Sequence, residues 1–199
     1  MVTAPSQGLG QRGRMGRVSE STSTSWPGAP YRRSSPPGAI TGAVLRAARR
    51  SAGLTTARLA RIAGFSEAVL RLWEYGDPPL GAEPTACLAR LCAALRGADA
   101  EPQIIGDLDT AIWCDLIVTG LTDGLRTHLD EPPDRAVLKL LAWATAGVLP
   151  DPYLPHAHRG PLLPPSDVRV IADAASCLAS ETCPGARRYG ATVAALLAI

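Results

Sequence analysis

The stretch at residues 54–76, LTTARLARIAGFSEAVLRLWEYG, decides how the chain is read. It predicts two short helices joined by a tight turn at Gly64. Thr55 or Thr56 can cap the first helix, because a side-chain oxygen there accepts one of the N–H groups that have no partner within the helix. Leu59, Ala60, Ile62 and Ala63 give that helix an apolar face. Gly64 ends it, since glycine reaches left-handed backbone angles without steric cost. Ser66 can cap the second helix, Val69, Leu70 and Trp73 form its inward stripe at spacings of three and four, and Gly76 stops it. Ala60 is small where the pair should cross most closely. A helix pair of this kind, with one face of the second helix exposed, has the shape that enters a major groove.

The surrounding residues extend the pattern: Leu45-Arg46, Arg49, Gly53-Leu54-Thr55, Leu59-Ala60, Ala63-Gly64, Ser66, Leu70 and Trp73-Glu74-x-Gly76. On these positions the chain resembles the Cro/C1-type, lambda-repressor-like helix-turn-helix domain of bacterial and phage repressors (the xenobiotic-response-element-like class). The resemblance spans about residues 40–96, under a third of the chain. It implies that the helix at 66–75 lies in the major groove of double-stranded DNA. It places Glu67, Ala68 and Leu72 at the base-reading face, with Thr56 at the start of the preceding helix, and counts Ser66 among the residues that meet DNA. The family favours Gln, Asn, Arg or Ser at such positions, and this chain departs from that. Glu67 can accept from a cytosine amino group, and Ala68 can touch a thymine methyl. Leu72 offers apolar contact alone, and Arg71 is the one side chain on this helix suited to guanine or a phosphate. Phosphate contacts would fall on Arg46, Arg50, Arg58 and Arg61. The resemblance also implies a structural ion pair between Arg49 and Glu74 that ties the first helix to the recognition helix.

Charge supports a nucleic-acid contact in the first half. Residues 1–38 carry +4 and residues 39–97 carry +4, whereas residues 98–199 carry −6, an asymmetry hidden in the net +2. Nineteen of the twenty basic side chains are arginines, which suggests a high-GC genome before it suggests a function. Residues 1–38, rich in Gly, Ser, Pro and Arg and poor in large aliphatics, read as a disordered basic tail. Its arginines suit DNA phosphates.

Helices are expected at about 40–51, 83–95, 107–128, 134–147, 166–180 and 186–198, which makes the chain all-α. Residues 39–97 form the helix-turn-helix domain, 98–106 a linker, and 107–199 a small helical bundle of unassigned role. Leu108, Ile112, Leu116, Leu121, Leu125 and Leu129 form the stripe of the first bundle helix, widened by Trp113 and Ile117. Its aspartates read as a solvated face.

The sequence offers little to an enzyme. His156-x-His158 sits in a Pro-rich loop without further ligands, and the five cysteines match no metal spacing. No phosphate loop or nucleophile elbow is visible, so no catalytic residue, metal or cofactor is expected. The expectation is a cytoplasmic, nucleoid-associated transcriptional regulator that acts on double-stranded DNA. It would be a homodimer through residues 107–199, with no membrane segment. The alternative is a regulator for protein interaction or ligand sensing whose helix-turn-helix does not read DNA.

Overall fold

The computed structural model describes residues 33–123, 133–181 and 183–198. Among these residues all regular structure is helical. The helices are α1 (Ala39–Ser51), α2 (Thr56–Ala63), α3 (Glu67–Tyr75), α4 (Thr85–Arg96), α5 (Pro102–Asp123), α6 (Arg135–Ala146), α7 (Pro165–Ala179) and α8 (Pro184–Leu197). Single 3-10 turns lie at Leu80–Ala82 and Asp151–Tyr153. No helix among the described residues is long and apolar enough to cross a membrane.

Local signals set several helix ends. The Thr55 and Ser66 side chains accept from the backbone N–H groups of Arg58 and Val69, and Asp134 accepts from Val137. Gly64 and Gly76 close α2 and α3 with φ of 71° and 94°. Both values lie in the left-handed region, where a Cβ is penalised.

Helix α1 is buried on nearly every side. Ile40, Val44, Leu45 and Ala48 are fully enclosed, as it packs against α3 on one flank and α5 on another. A Cβ on Gly42 would lie 2.6 Å from the Glu74 carbonyl oxygen, so only glycine permits this approach of α1 to α3. α5 also packs against α6 and α7, and α7 pairs with α8. The buried apolar residues of both halves form one cluster, running from Ile40 through Leu59, Leu70, Leu91 and Leu108 to Val193.

Several expectations are corrected. The disordered tail does not reach residue 38. Asp167 of α7 is wholly buried and accepts from the Ser34 and Ser35 N–H groups and the Ser35 hydroxyl, which fixes residues 33–38 to the body of the protein. Residues 1–32 lie outside the described residues. The linker at 98–106 is shorter than expected. α5 starts at Pro102, where proline's missing N–H costs nothing in a first turn, and Ile104 and Ile105 join the core. Gly124, Leu125, His128 and Leu129, assigned to the same helix, lie outside the described residues. Leu116 and Trp113 do not face inward; both are about half exposed. Apolar side chains run right round α5, and its neighbours cannot cover every side. Ile62 is likewise half exposed.

Of the α5 aspartates, Asp109 and Asp123 are exposed as expected, but Asp107 and Asp115 are not. Asp115 is buried, and Asp107 accepts a 2.7 Å hydrogen bond from the Tyr153 hydroxyl. The role of Asp115 is specific. α1 has no side-chain cap of its own and no acid in its first turn. Asp115 fills that place from α5: its Oδ1 accepts from Ile40 N at 3.1 Å, and its Oδ2 accepts from Thr41 N at 2.9 Å and Thr41 Oγ1 at 2.6 Å. A carboxylate at a helix N-terminus satisfies unpaired donors and opposes the positive end of the helix dipole.

Candidate nucleic-acid interface

α3 is held from behind by polar contacts that the apolar stripe alone would not supply. Arg49 of α1 grips Glu74 with two donors, Nε to Oε1 and Nη2 to Oε2 at 3.0 Å, and its Nη1 reaches the Leu54 carbonyl at 2.7 Å. The two side chains are 11% and 9% exposed, so the pair implied by the resemblance is present and largely desolvated. Arg46 donates to the Glu74 carbonyl at 2.6 Å. It is therefore a half-buried strut on α3 rather than a phosphate contact. Burial lowers its pKa, with Glu74 opposing the shift. Trp73 is buried, packs edge-on against Phe65 with centroids 4.9 Å apart, and donates from Nε1 to Glu83 at 3.3 Å.

Arg90, not anticipated from the sequence, crosses from α4 to the turn between α2 and α3. It donates to the Ala63 and Gly64 carbonyls at 2.7 and 2.8 Å and lies 4.3 Å over the Phe65 ring. Cations at a helix C-terminus meet its unpaired carbonyls. Nothing local marks Arg90 for this task, because its partners lie a full helix away in the chain.

With its back fixed, α3 presents Ala68, Arg71, Leu72 and Tyr75 outward, all exposed, with Glu67 half-buried at its head. Ser66 is exposed but already spends its hydroxyl oxygen on capping. Thr56 is half-buried at the start of α2, and Arg58 and Arg61 are exposed along that helix. Arg71 and Glu67 form an exposed ion pair one turn apart. Exposed pairs of this kind contribute about 0–1 kcal/mol, so Arg71 can leave Glu67 at little cost. Arg50 is exposed but turns the other way, donating to the His156 carbonyl at 3.4 Å. The predicted set therefore comes together around α3 and α2, while Arg46 and Arg50 do not join it. Tyr75, missed by the sequence reading, adds an exposed phenol at the far end of α3.

No cluster of His, Cys, Asp or Glu among the described residues has the arrangement to hold a metal ion. The cysteines in this set are free thiols, and burial pushes the Cys114 thiol well above its ordinary range. No protein-family model matches this chain, and no curated protein or solved structure matches it.

Proposed function

We propose that the protein is a sequence-specific, double-stranded-DNA-binding transcriptional regulator of the Cro/C1 helix-turn-helix type, with α3 entering the major groove. The observation that carries this reading is the contrast between the two sides of α3. Its inner side is locked by Arg49, Arg46 and Trp73, and its outer side is left open beside the exposed arginines of α2. A rigid helix with an open outer face and flanking cations is what groove reading requires. Glu67 and Arg71 are the polar readers, Ala68 and Leu72 the apolar ones, and Arg58 and Arg61 the phosphate contacts. Such regulators bind two half-sites about one helical turn apart, and we assign the pairing of copies to residues 107–199.

Fluorescence anisotropy on genomic DNA fragments across a salt series tests this. A minority of fragments should bind far more tightly than the rest, with affinity falling steeply as salt rises. Uniform weak binding across all fragments would refute it. A second reading has one observation in its favour. Leu72, Tyr75 and Ile62 are large, apolar and about half or more exposed on this pair of helices, which suits a protein partner as well as a groove. Saltless dependence of any DNA interaction, with none stronger than background, would move the assignment there.

A further inference from the structure

Between the start of α1, the turn after α3 and the outer side of α5 lies a cleft of about 200 Å³. Pro37 comes from the segment before α1, Pro79 and Ala82 from the turn, and Ile112 and Leu116 from α5. These supply apolar walls. Asp115, Thr41 and Thr119 are the polar and charged residues of the lining. Asp115 Oδ2 accepts two hydrogen bonds, but Oδ1 accepts one, from Ile40 N. A carboxylate oxygen has room for a second donor.

The surrounding charge has a sign. Arg33 acts electrostatically on this carboxylate, and on Asp167 and Asp123 as well. Its Nη1 is committed to Thr119 at 2.9 Å and its Nη2 to Ser35 and the Pro36 carbonyl. Arg33 is therefore not dedicated to Asp115. Burial pushes the Asp115 pKa up to about 6 against the opposing pull of the Thr41 and Ile40 hydrogen bonds and of Arg33, so holding its charge there is costly. A second cation in the cleft would relieve that cost.

Size limits the occupant. An apolar cavity of about 150 Å³ holds benzene, so this cleft takes one ring or branched chain with a short arm. We propose that the cleft binds a small organic amine, with an apolar body of up to about ten non-hydrogen atoms against Pro79, Ile112 and Leu116 and its ammonium group donating to Asp115 Oδ1. The occupant would touch α1, α5 and the turn that follows α3 at once. The inference goes beyond the reading of α3 as a DNA reader and does not depend on it.

Benzylamine is a suitable probe, followed on the isotope-labelled full chain by the backbone amide signals of Thr41, Gly81 and Thr119. Saturable shifts at these three amides are expected with Kd of about 1 mM or tighter. Benzyl alcohol, which keeps the shape without the charge, should bind about tenfold more weakly, and benzoate should not bind. Ala82→Leu, which fills the cleft from an exposed turn position, should abolish binding with the helical spectrum unchanged. Asp115→Asn also weakens the α1 cap, so it serves as the second variant and should weaken binding about tenfold. Three results would each overturn the proposal: no saturable shift up to about 10 mM, equal binding of benzylamine, benzyl alcohol and benzoate, or unchanged binding by Ala82→Leu.

Discussion

Glu74→Ala tests how α3 is held. The carboxylate receives two of the three Arg49 donors, and both side chains are about nine-tenths buried. Truncation leaves a guanidinium enclosed with one partner, the Leu54 carbonyl. Stranding one member of a buried pair costs about 3–5 kcal/mol. For a chain of this size each kcal/mol moves the melting temperature by about 2–4 °C, so a drop of roughly 10 °C is expected. The pair as a whole is worth much less than that, because ionisation of both members had to overcome desolvation. Arg49→Met combined with Glu74→Leu should therefore recover most of the loss. Circular dichroism melts and urea unfolding of Arg49→Met, Glu74→Leu and the double variant close the cycle. If Glu74→Ala lies within about 0.5 kcal/mol of the parent, the range of ordinary surface substitutions, the pair is not what fixes α3. Failure of the double variant to recover would point instead to the Leu54 carbonyl as the group that matters.

Four further outcomes are expected. Arg71→Ala should weaken binding to the preferred DNA site by about 1–3 kcal/mol and relax its sequence preference, measured by anisotropy on matched and mismatched duplexes. A chain beginning at residue 39 should melt well below one beginning at residue 33, because it deprives the buried Asp167 of Ser34 and Ser35; equal melting would show that these contacts add nothing. Asp115 has its folded pKa raised from 3.8 to about 6 by burial, so its contribution is fully present below pH 4 and is lost as pH rises through about 6, by about 3 kcal/mol at about 1.4 kcal/mol per unit; Asp115→Asn should remove this slope from urea titrations. Gly42→Ala should destabilise by about 1–3 kcal/mol or more, because its Cβ meets the Trp73 and Glu74 carbonyls and backbone cannot move aside cheaply.

What was legible in the sequence was what is local in the chain. Thr55, Ser66 and Asp134 announce their helices because each bonds a backbone N–H three residues on. Gly64 and Gly76 announce the ends because no other residue is as easily left-handed. The stripe of Leu70 and Trp73 is set by helical period, and both are buried. The pairing of Arg49 with Glu74 spans 25 residues and was reachable through the family resemblance, not from spacing. The contacts that escaped reading are long-range and polar. Asp115 looked like one more acid on a charged helix, and Asp167 and Arg90 likewise carried no local sign of their partners. Arg46 and Arg50 were assigned to phosphates because an arginine's sequence position does not say whether it will be spent on a carbonyl. Pro102 was read as a linker residue when it opens α5, since proline marks a helix start as readily as a break.

These long-range polar contacts bear on how the two halves depend on each other. The basic half and the acidic half suggested two units joined by a linker, but α1 belongs to both. One flank carries Gly42 against the Glu74 carbonyl and Arg49 against its carboxylate. At its N-terminus the donors with no partner inside the helix are answered by Asp115 of α5, and the Gly38 N–H just before it bonds the Gly76 carbonyl at the end of α3 at 2.9 Å. Thr41 and Gly42 are consecutive, so the contact with α5 and the contact with α3 lie one residue apart. Helices this closely packed do not deform gradually. A displacement of α5 at Asp115 must either leave α1 uncapped or carry it along, and carrying it along moves the surface on which α3 rests. A segment ending at residue 97 would keep α2, α3 and α4 but lose the cap of α1 and its packing against α5. The helix pair at residues 54–76 dictates the shape of the candidate interface, while α5 completes the helix that holds it in place.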